Sequence, residues 1–298
     1  MTKRLNPGND YLFCRLFGEE ESKPLLIGLL NAILSRTGAS AITDVTIRNG
    51  KLLTKRLLQD KDSVLDIRCE TAGEQINVEM QVGPYRHMEK RSLFYTGRML
   101  TSSIRAGEDY ARLKRTIGVN LLDYALFPIT GYHHIFHLYT DGEERYRLTD
   151  LLELHFLELP KFRAAAFAAE NPLHRWLRFL DRQASDQQIK ELTAMDETIR
   201  MAEERLAYLS EDDTTRMLYE AREKAERDRI SFLKDAWEQG SEAGREAGRK
   251  EGIQEGIREG IETVARNLLR EGTEPPTVSR VTGLPLEIVL ELKRDARA

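Results

Sequence analysis

The chain has 298 residues, of which 41% are hydrophobic and 32% charged, with a formal net charge of −4. That length exceeds one ordinary domain, so a globular core with a highly solvated appendage is the starting expectation. A chain-wide basic footprint is excluded: residues 1–162 hold 22 Lys/Arg against 21 Asp/Glu, and the acidity lies in the remainder. A near-neutral core can still bind phosphate locally, so net charge leaves nucleic acid open as a partner. No apolar signal core follows the first residues and no apolar run reaches membrane-spanning length. Cys14 and Cys69 make neither a disulfide framework nor a metal-ligand pattern. A reduced, cytoplasmic setting without a membrane partner is the expectation.

Leu12, Phe13, Leu16 and Phe17 recur at helical spacing, with Asn9 or Asp10 placed to cap. A second helix is expected over 24–35. Residues 43–47, 63–70 and 75–82 read as strands, rich in alternating or β-branched apolar residues. Pro84 opens a long helix to about residue 105, and strands follow near 116–122 and 132–139. This order implies an α/β fold with helices layered on one mixed sheet. After Pro160 the chain becomes charged and helical in period, with Leu177, Leu180, Leu206 and Leu209 marking buried stripes. The expected division is a core over 1–162, a charged helical region over 163–238, a glycine-repeat helix or linker over 239–262, and a small helical unit over 263–298.

The chemistry concentrates in two neighbouring strands. Asp66, Arg68 and Glu70 share one face of the first, while Asn77, Glu79 and Gln81 share the polar face of the second, opposite Ile76, Val78 and Met80. If residues 71–74 form a hairpin loop, Glu70 pairs with Gln75 and Asp66 falls opposite Glu79. A slip of one residue would send the two acids to opposite faces. Carboxylates so opposed repel unless a proton or a cation lies between them. Two hard oxygen donors suit Mg²⁺ or Mn²⁺. The competing reading is a half-exposed hairpin with charges turned to water, but the apolar face of each strand argues for a core beside the acids.

Asp66 followed by Glu79-Met80-Gln81 resembles the D…ExK core of the PD-(D/E)XK nuclease superfamily, in the E-x-Q form of the recombination-promoting nuclease/putative transposase (Rpn) family. Asn9-Asp10-Tyr11-Leu12-Phe13 is similar to that family's opening helix, Lys90-Arg91-Ser92-Leu93-Phe94-Tyr95 to its post-catalytic helix, and Glu158-Leu159-Pro160-Lys161-Phe162 to its core-closing segment. The resemblance implies a restriction-endonuclease-like mixed sheet flanked by helices, with a C-terminal all-helical extension. It also implies metal-dependent hydrolysis of DNA phosphodiesters in recombination or mobile-element processes. Carried onto matching positions, it makes Asp66, Glu79 and Gln81 catalytic, with Asp66, Glu79 and the Met80 backbone carbonyl as ligands of Mg²⁺ or Mn²⁺. Two departures stand out. Gln81 replaces the superfamily's usual lysine, and Cys14 stands where the opening helix is expected to carry one. A non-catalytic DNA-binding or assembly protein derived from such a nuclease is therefore the rival reading.

Other residues carry two readings each. Asp10 could reach the metal from the first helix or cap that helix. His87, Arg91, Tyr95 and Arg98 fall on one face of the following helix, which leads away from the acids; they read as DNA phosphate contacts or as a solvated face. His133, His134 and His137 suggest zinc, but no further ligand completes a set, so structural histidines are expected. Asp62 reads as an exposed strand-start residue. Glycines recur every fourth position from Gly240 to Gly260, at a cost of about 1 kcal/mol each in a helix. Such a segment is a mobile linker or a helix packed closely on a partner, which would make the chain a homo-oligomer. The last segment is loosely similar to a helix-turn-helix. Its six basic and six acidic residues over 262–298 give no basic footprint, and a helical packing unit is expected.

Overall fold

The computed structural model describes residues 4–48 and 66–295. The chain forms two compact units, Met1–Asp228 and Arg229–Ala298. Among the described residues of the first unit one mixed sheet is formed by β1 (Thr46–Ile47), β2 (Asp66–Glu70), β3 (Glu74–Gln81), β4 (Arg115–Leu122), β5 (His133–Phe136) and β6 (Leu152–Glu158). Their order across the sheet is β1-β2-β3-β4-β6-β5. Strands β1 to β3 run antiparallel, β3, β4 and β6 run parallel, and β5 returns antiparallel at the edge. The expected α/β architecture, a mixed sheet flanked by helices with a helical C-terminal region, is observed. Residues 63–65 of the expected strand and Asp62 lie outside the described residues.

One face of the sheet is apolar because β-strand alternation puts Ile76, Val78 and Met80 of β3 beside Ile117, Val119 and Leu121 of β4, all buried. Two helices, α1 (Asp10–Phe17) and α2 (Lys23–Ile33), supply Leu12, Phe13, Phe17, Leu26 and Leu30 to the same core. Residues beyond 162 join it as well. Trp176, Leu177, Leu206 and Leu209 belong to that one cluster, and Phe17 meets Trp176 edge-on at 5.7 Å.

The opposite face is covered differently. Helix α3 (Met88–Ser102) lies there with Met88, Ser92, Thr96 and Met99 buried; Leu122, Leu154 and Phe156 pack on Met88, while the residues of β3 beneath it, with Thr116 and Asn120, are polar. Gln75 donates to the Met99 carbonyl and to Thr116 Oγ1, while Asn120 donates to Ser92 Oγ and to the His155 carbonyl. Helix and sheet approach closely at Gly118, where a Cβ would lie 2.6 Å from Thr96 Oγ1. A buried polar layer of this kind is tolerated because its groups bond one another.

Sequence pattern and structure differ at several places. Strand β6 was not among the expected strands, although Leu152, Leu154 and Phe156 alternate with Glu153 and His155; the edge strand β5 is shorter than its sequence run. Helix α3 begins at Met88 rather than at Pro84, because His87 takes a left-handed backbone, φ 61°, at its N-cap. Four further helices are α4 (Leu159–Ala164), α5 (Pro172–Leu180), α6 (Asp186–Met195) and α7 (Glu197–Glu211). Helix α8 (Asp213–Arg270) carries the glycine repeat as helix throughout. In the second unit α9 (Pro275–Thr282) and α10 (Leu286–Asp295) flank a turn at Gly283, φ 75°, and Ala265, Val278, Val289 and Leu292 form a small core. No described helix is long and apolar enough to cross a membrane.

Candidate functional site

Strands β2 and β3 pair with Asp66 opposite Glu79 and Glu70 opposite Gln75. This is the register that a hairpin loop over 71–74 imposes, and it brings the two expected acids together. Glu79 is 3% exposed. Both its oxygens are held from its own strand: Asn77 Nδ2 donates to Oε1 and Gln81 Nε2 to Oε2, each at 3.1 Å. Asn77 was named beforehand only as a face-mate, and its Oδ1 is buried without a hydrogen-bond partner among the described residues. Asp66 pairs with Arg68 at 2.7 Å and stays partly exposed.

The electrostatics follow from that burial. Desolvation pushes the Glu79 carboxyl above the ordinary carboxylate range. Arg91 pulls it back down, the charge on Asp66 adds to the rise, and the two amide donors oppose it. The Cys14 thiol is pushed well up, first by burial and then by the charges of Asp10, Asp66 and Glu79. Three acids therefore act on one buried point of α1. Cys14 is inert there, a small apolar filler rather than a nucleophile.

Asp10 departs from its expected role as a cap. The cap of α1 is Asn9, whose side chain accepts from Leu12 N at 3.2 Å. Asp10 instead receives the Arg222 guanidinium from α8, with its closest contact at 2.6 Å. Asp10 and Gln81 border one narrow cleft together with Tyr85, Arg222 and Glu226. Arg222 lies over two hundred positions away in the chain, and no local pattern announces it.

The stripe on α3 is also corrected. His87 sits outside the helix and is exposed, as is Arg98. Arg91 turns toward the cleft that Gln81 borders, since it lies over Tyr85, which lines that cleft too. Its guanidinium lies between two rings, 5.1 Å from the Tyr85 centroid and 5.3 Å from that of Tyr95.

A family profile described as PD-(D/E)XK nuclease family transposase matches residues 7–236, most of the chain. The chain belongs to that family. No curated protein and no solved structure matches it. The match covers β2 and β3, on which the acidic pair stands, and runs far enough to include Arg222 on α8. Members of this superfamily generally use divalent metals. Among the described residues no group of three or more His, Cys, Asp or Glu gathers to hold a metal. The pair nevertheless fits Mg²⁺ or Mn²⁺, because Mg²⁺ keeps several waters and is held by one or two carboxylates plus substrate phosphate. The histidines fit no zinc site. His133 bonds His155 at 2.8 Å, His155 bonds Glu153 at 2.7 Å, and His134 meets Glu158 at 3.1 Å, which is a structural role. Glu158 also accepts from Phe127 N and from Lys161, closing the loop before β5.

Proposed function

We propose that this chain is a metal-dependent DNA endonuclease that hydrolyses phosphodiester bonds in recombination or mobile-element processes. The observation that carries this reading is the pairing of Asp66 with a buried Glu79 across β2 and β3. Two carboxylates in that register, one of them desolvated, are costly without a cation. Asp66, Glu79 and the Met80 backbone carbonyl would hold Mg²⁺ or Mn²⁺, with Asp10 as an accessory carboxylate when released from Arg222. A metal held there would supply polarisation of the phosphoryl group and a lowered pKa for an attacking water.

The chain's own residues do the rest. Asn77 and Gln81 hold the Glu79 carboxylate in one orientation, and Gln81 can also orient a water through its amide oxygen. His87 and Arg98 are exposed and, with Arg91, supply phosphate contacts, since most protein–DNA hydrogen bonds go to the backbone. In the second unit a Cβ at any glycine from Gly240 to Gly260 would meet nothing within 4 Å. That bare backbone, with exposed Ile253 and Ile257, suits close approach of a second copy.

One observation favours a non-catalytic DNA-binding protein instead: Gln81 replaces lysine and its amide donor is already engaged with Glu79. Plasmid nicking with Mg²⁺ or Mn²⁺, against the same reaction in EDTA, separates the two. Nicking that EDTA stops supports the nuclease; DNA retention without nicking supports the rival.

A further inference from the structure

With Gln81 at the third motif position, β3 brings no positive charge to the acidic pair. Helix α3 brings one. Arg91 immediately precedes Ser92, whose hydroxyl accepts from Asn120, and Asn120 is the register partner of Glu79 on β4. Arg91 itself lies over the ring of Tyr85, which borders the same cleft as Asp10 and Gln81.

Four arginines near the sheet are committed to carboxylates. Arg36 pairs with Glu74, Arg115 with Glu74 and Glu153, Arg163 with Asp123 and Asp181, and Arg222 with Asp10. Arg91 has no ion pair within 4 Å among the described residues. Its Nε and Nη2 are buried, and neither has a hydrogen-bond partner there. These two atoms form one edge of the guanidinium, the fork that grips two phosphate oxygens side by side. Tyr85 and Tyr95 fix the plane of that fork, since a guanidinium over an aromatic face is attracted to it. A buried donor pair left unbonded is destabilising unless something else bonds it. A preorganised cation aimed where charge develops is what stabilises a transition state most.

We propose that Arg91 is the catalytic cation of the Asp66–Glu79 site, its Nε–Nη2 edge donating to two non-bridging oxygens of the scissile phosphate. This rests on the nuclease reading and adds a role to Arg91 beyond tracking the DNA backbone. In the reaction a water oxygen bonds phosphorus, the bond from phosphorus to the leaving ester oxygen breaks, and the water's proton passes to solvent while the leaving oxygen takes one up. Arg91 keeps all its protons and neutralises the charge that builds on the phosphoryl oxygens. The lysine absent from β3 is replaced in function from α3.

The test uses the full chain and supercoiled plasmid. Single-turnover nicking with saturating Mn²⁺ is measured beside DNA affinity in EDTA and Mn²⁺ affinity by calorimetry without DNA. Arg91→Ala should lower the nicking rate on the order of 10²–10³-fold, while DNA affinity changes by less than about threefold, as for one lost phosphate contact. Adding Gln81→Lys to Arg91→Ala should restore the rate by roughly tenfold or more, because the charge returns from the strand. Mn²⁺ should bind Arg91→Ala more tightly, since a repelling cation is gone. A loss of DNA affinity as large as the loss of rate reduces Arg91 to a backbone contact and overturns the proposal. So does failure of Gln81→Lys to restore activity, or weaker Mn²⁺ binding in Arg91→Ala. Wild-type protein that nicks with neither metal overturns the nuclease reading itself and Arg91's catalytic role with it; the Mn²⁺ measurement then still decides whether Arg91 stands at the acidic pair.

Discussion

At the β5–β6 edge, Glu153 is held by Arg115 at 2.6 Å, His155 at 2.7 Å and Arg147 at 3.2 Å. At β2–β3, the more deeply buried Glu79 is held by two neutral amides and has another carboxylate as its register partner. The two glutamates therefore respond oppositely to the same sheet. Burial would raise Glu153, but hydrogen bonds from His155 and Arg115 outweigh it and hold the carboxyl well below the ordinary range. Burial raises Glu79 and nothing outweighs it. One cluster balances its charges internally and reads as structure; the other leaves a negative charge for something outside the chain to answer. That contrast, more than burial alone, is what supports the proposed role of Glu79.

The largest expected effect concerns cleavage. Asp66→Ala and Glu79→Ala should each lower metal-dependent nicking by on the order of 10³-fold or more, with far-ultraviolet circular dichroism unchanged. Glu153→Gln should leave nicking within about threefold. A plasmid assay on the three proteins decides it. Wild-type cleavage by Asp66→Ala or Glu79→Ala would erase the distinction between the clusters.

Stability should reverse the ranking. Glu153→Gln removes a charged acceptor shared by the partly exposed Arg115 and Arg147, and because Arg115 keeps Glu74 it should cost about 2 kcal/mol. Glu79→Gln should instead stabilise the metal-free protein at pH 7. A carboxyl whose folded pKa is raised stabilises the fold only while protonated; that contribution is full below the unfolded value and lost as pH rises through the folded one. Removing the charge recovers it, and with the Asn77 amide turned over the new amide can donate to Asn77 Oδ1, which has no partner now. Urea midpoints at pH 7 test both signs, and a large loss in Glu79→Gln would show that its carboxylate is structurally matched after all.

The sequence disclosed the two clusters unequally, for physical reasons. The Asp66–Glu79 register was legible because it depends only on local terms: strand alternation and the length of the 71–74 loop. The apolar stripes of α1 and of residues 172–209 were legible in the same way. The alternation of 152–156 was there to read, but not that its polar residues Glu153 and His155 are buried, because their partners Arg115 and His133 lie on other strands. Arg91 was read as facing away from the acids because helical periodicity tells which residues share a face but not what the face rests on. Asn9 and Asp10 were equal as caps until Arg222 claimed one of them.

The smallest effect tests the balanced cluster through pH. Burial, then the neighbouring His155 and His134, lower the His133 pKa to about 4, against a weaker pull upward from Glu153. A histidine whose folded pKa lies below its unfolded value near 6.5 contributes fully above that pH and loses its contribution as pH falls toward 4. The wild-type protein should therefore lose about 2 kcal/mol from this residue between pH 7 and pH 5. His133→Gln can keep the hydrogen bond to His155 without titrating, so its urea midpoint should fall less over the same interval. Equal falls in the two proteins would mean that His133 takes up its proton at the edge of the sheet without strain, and that the β5–β6 cluster is less tightly balanced than its distances imply.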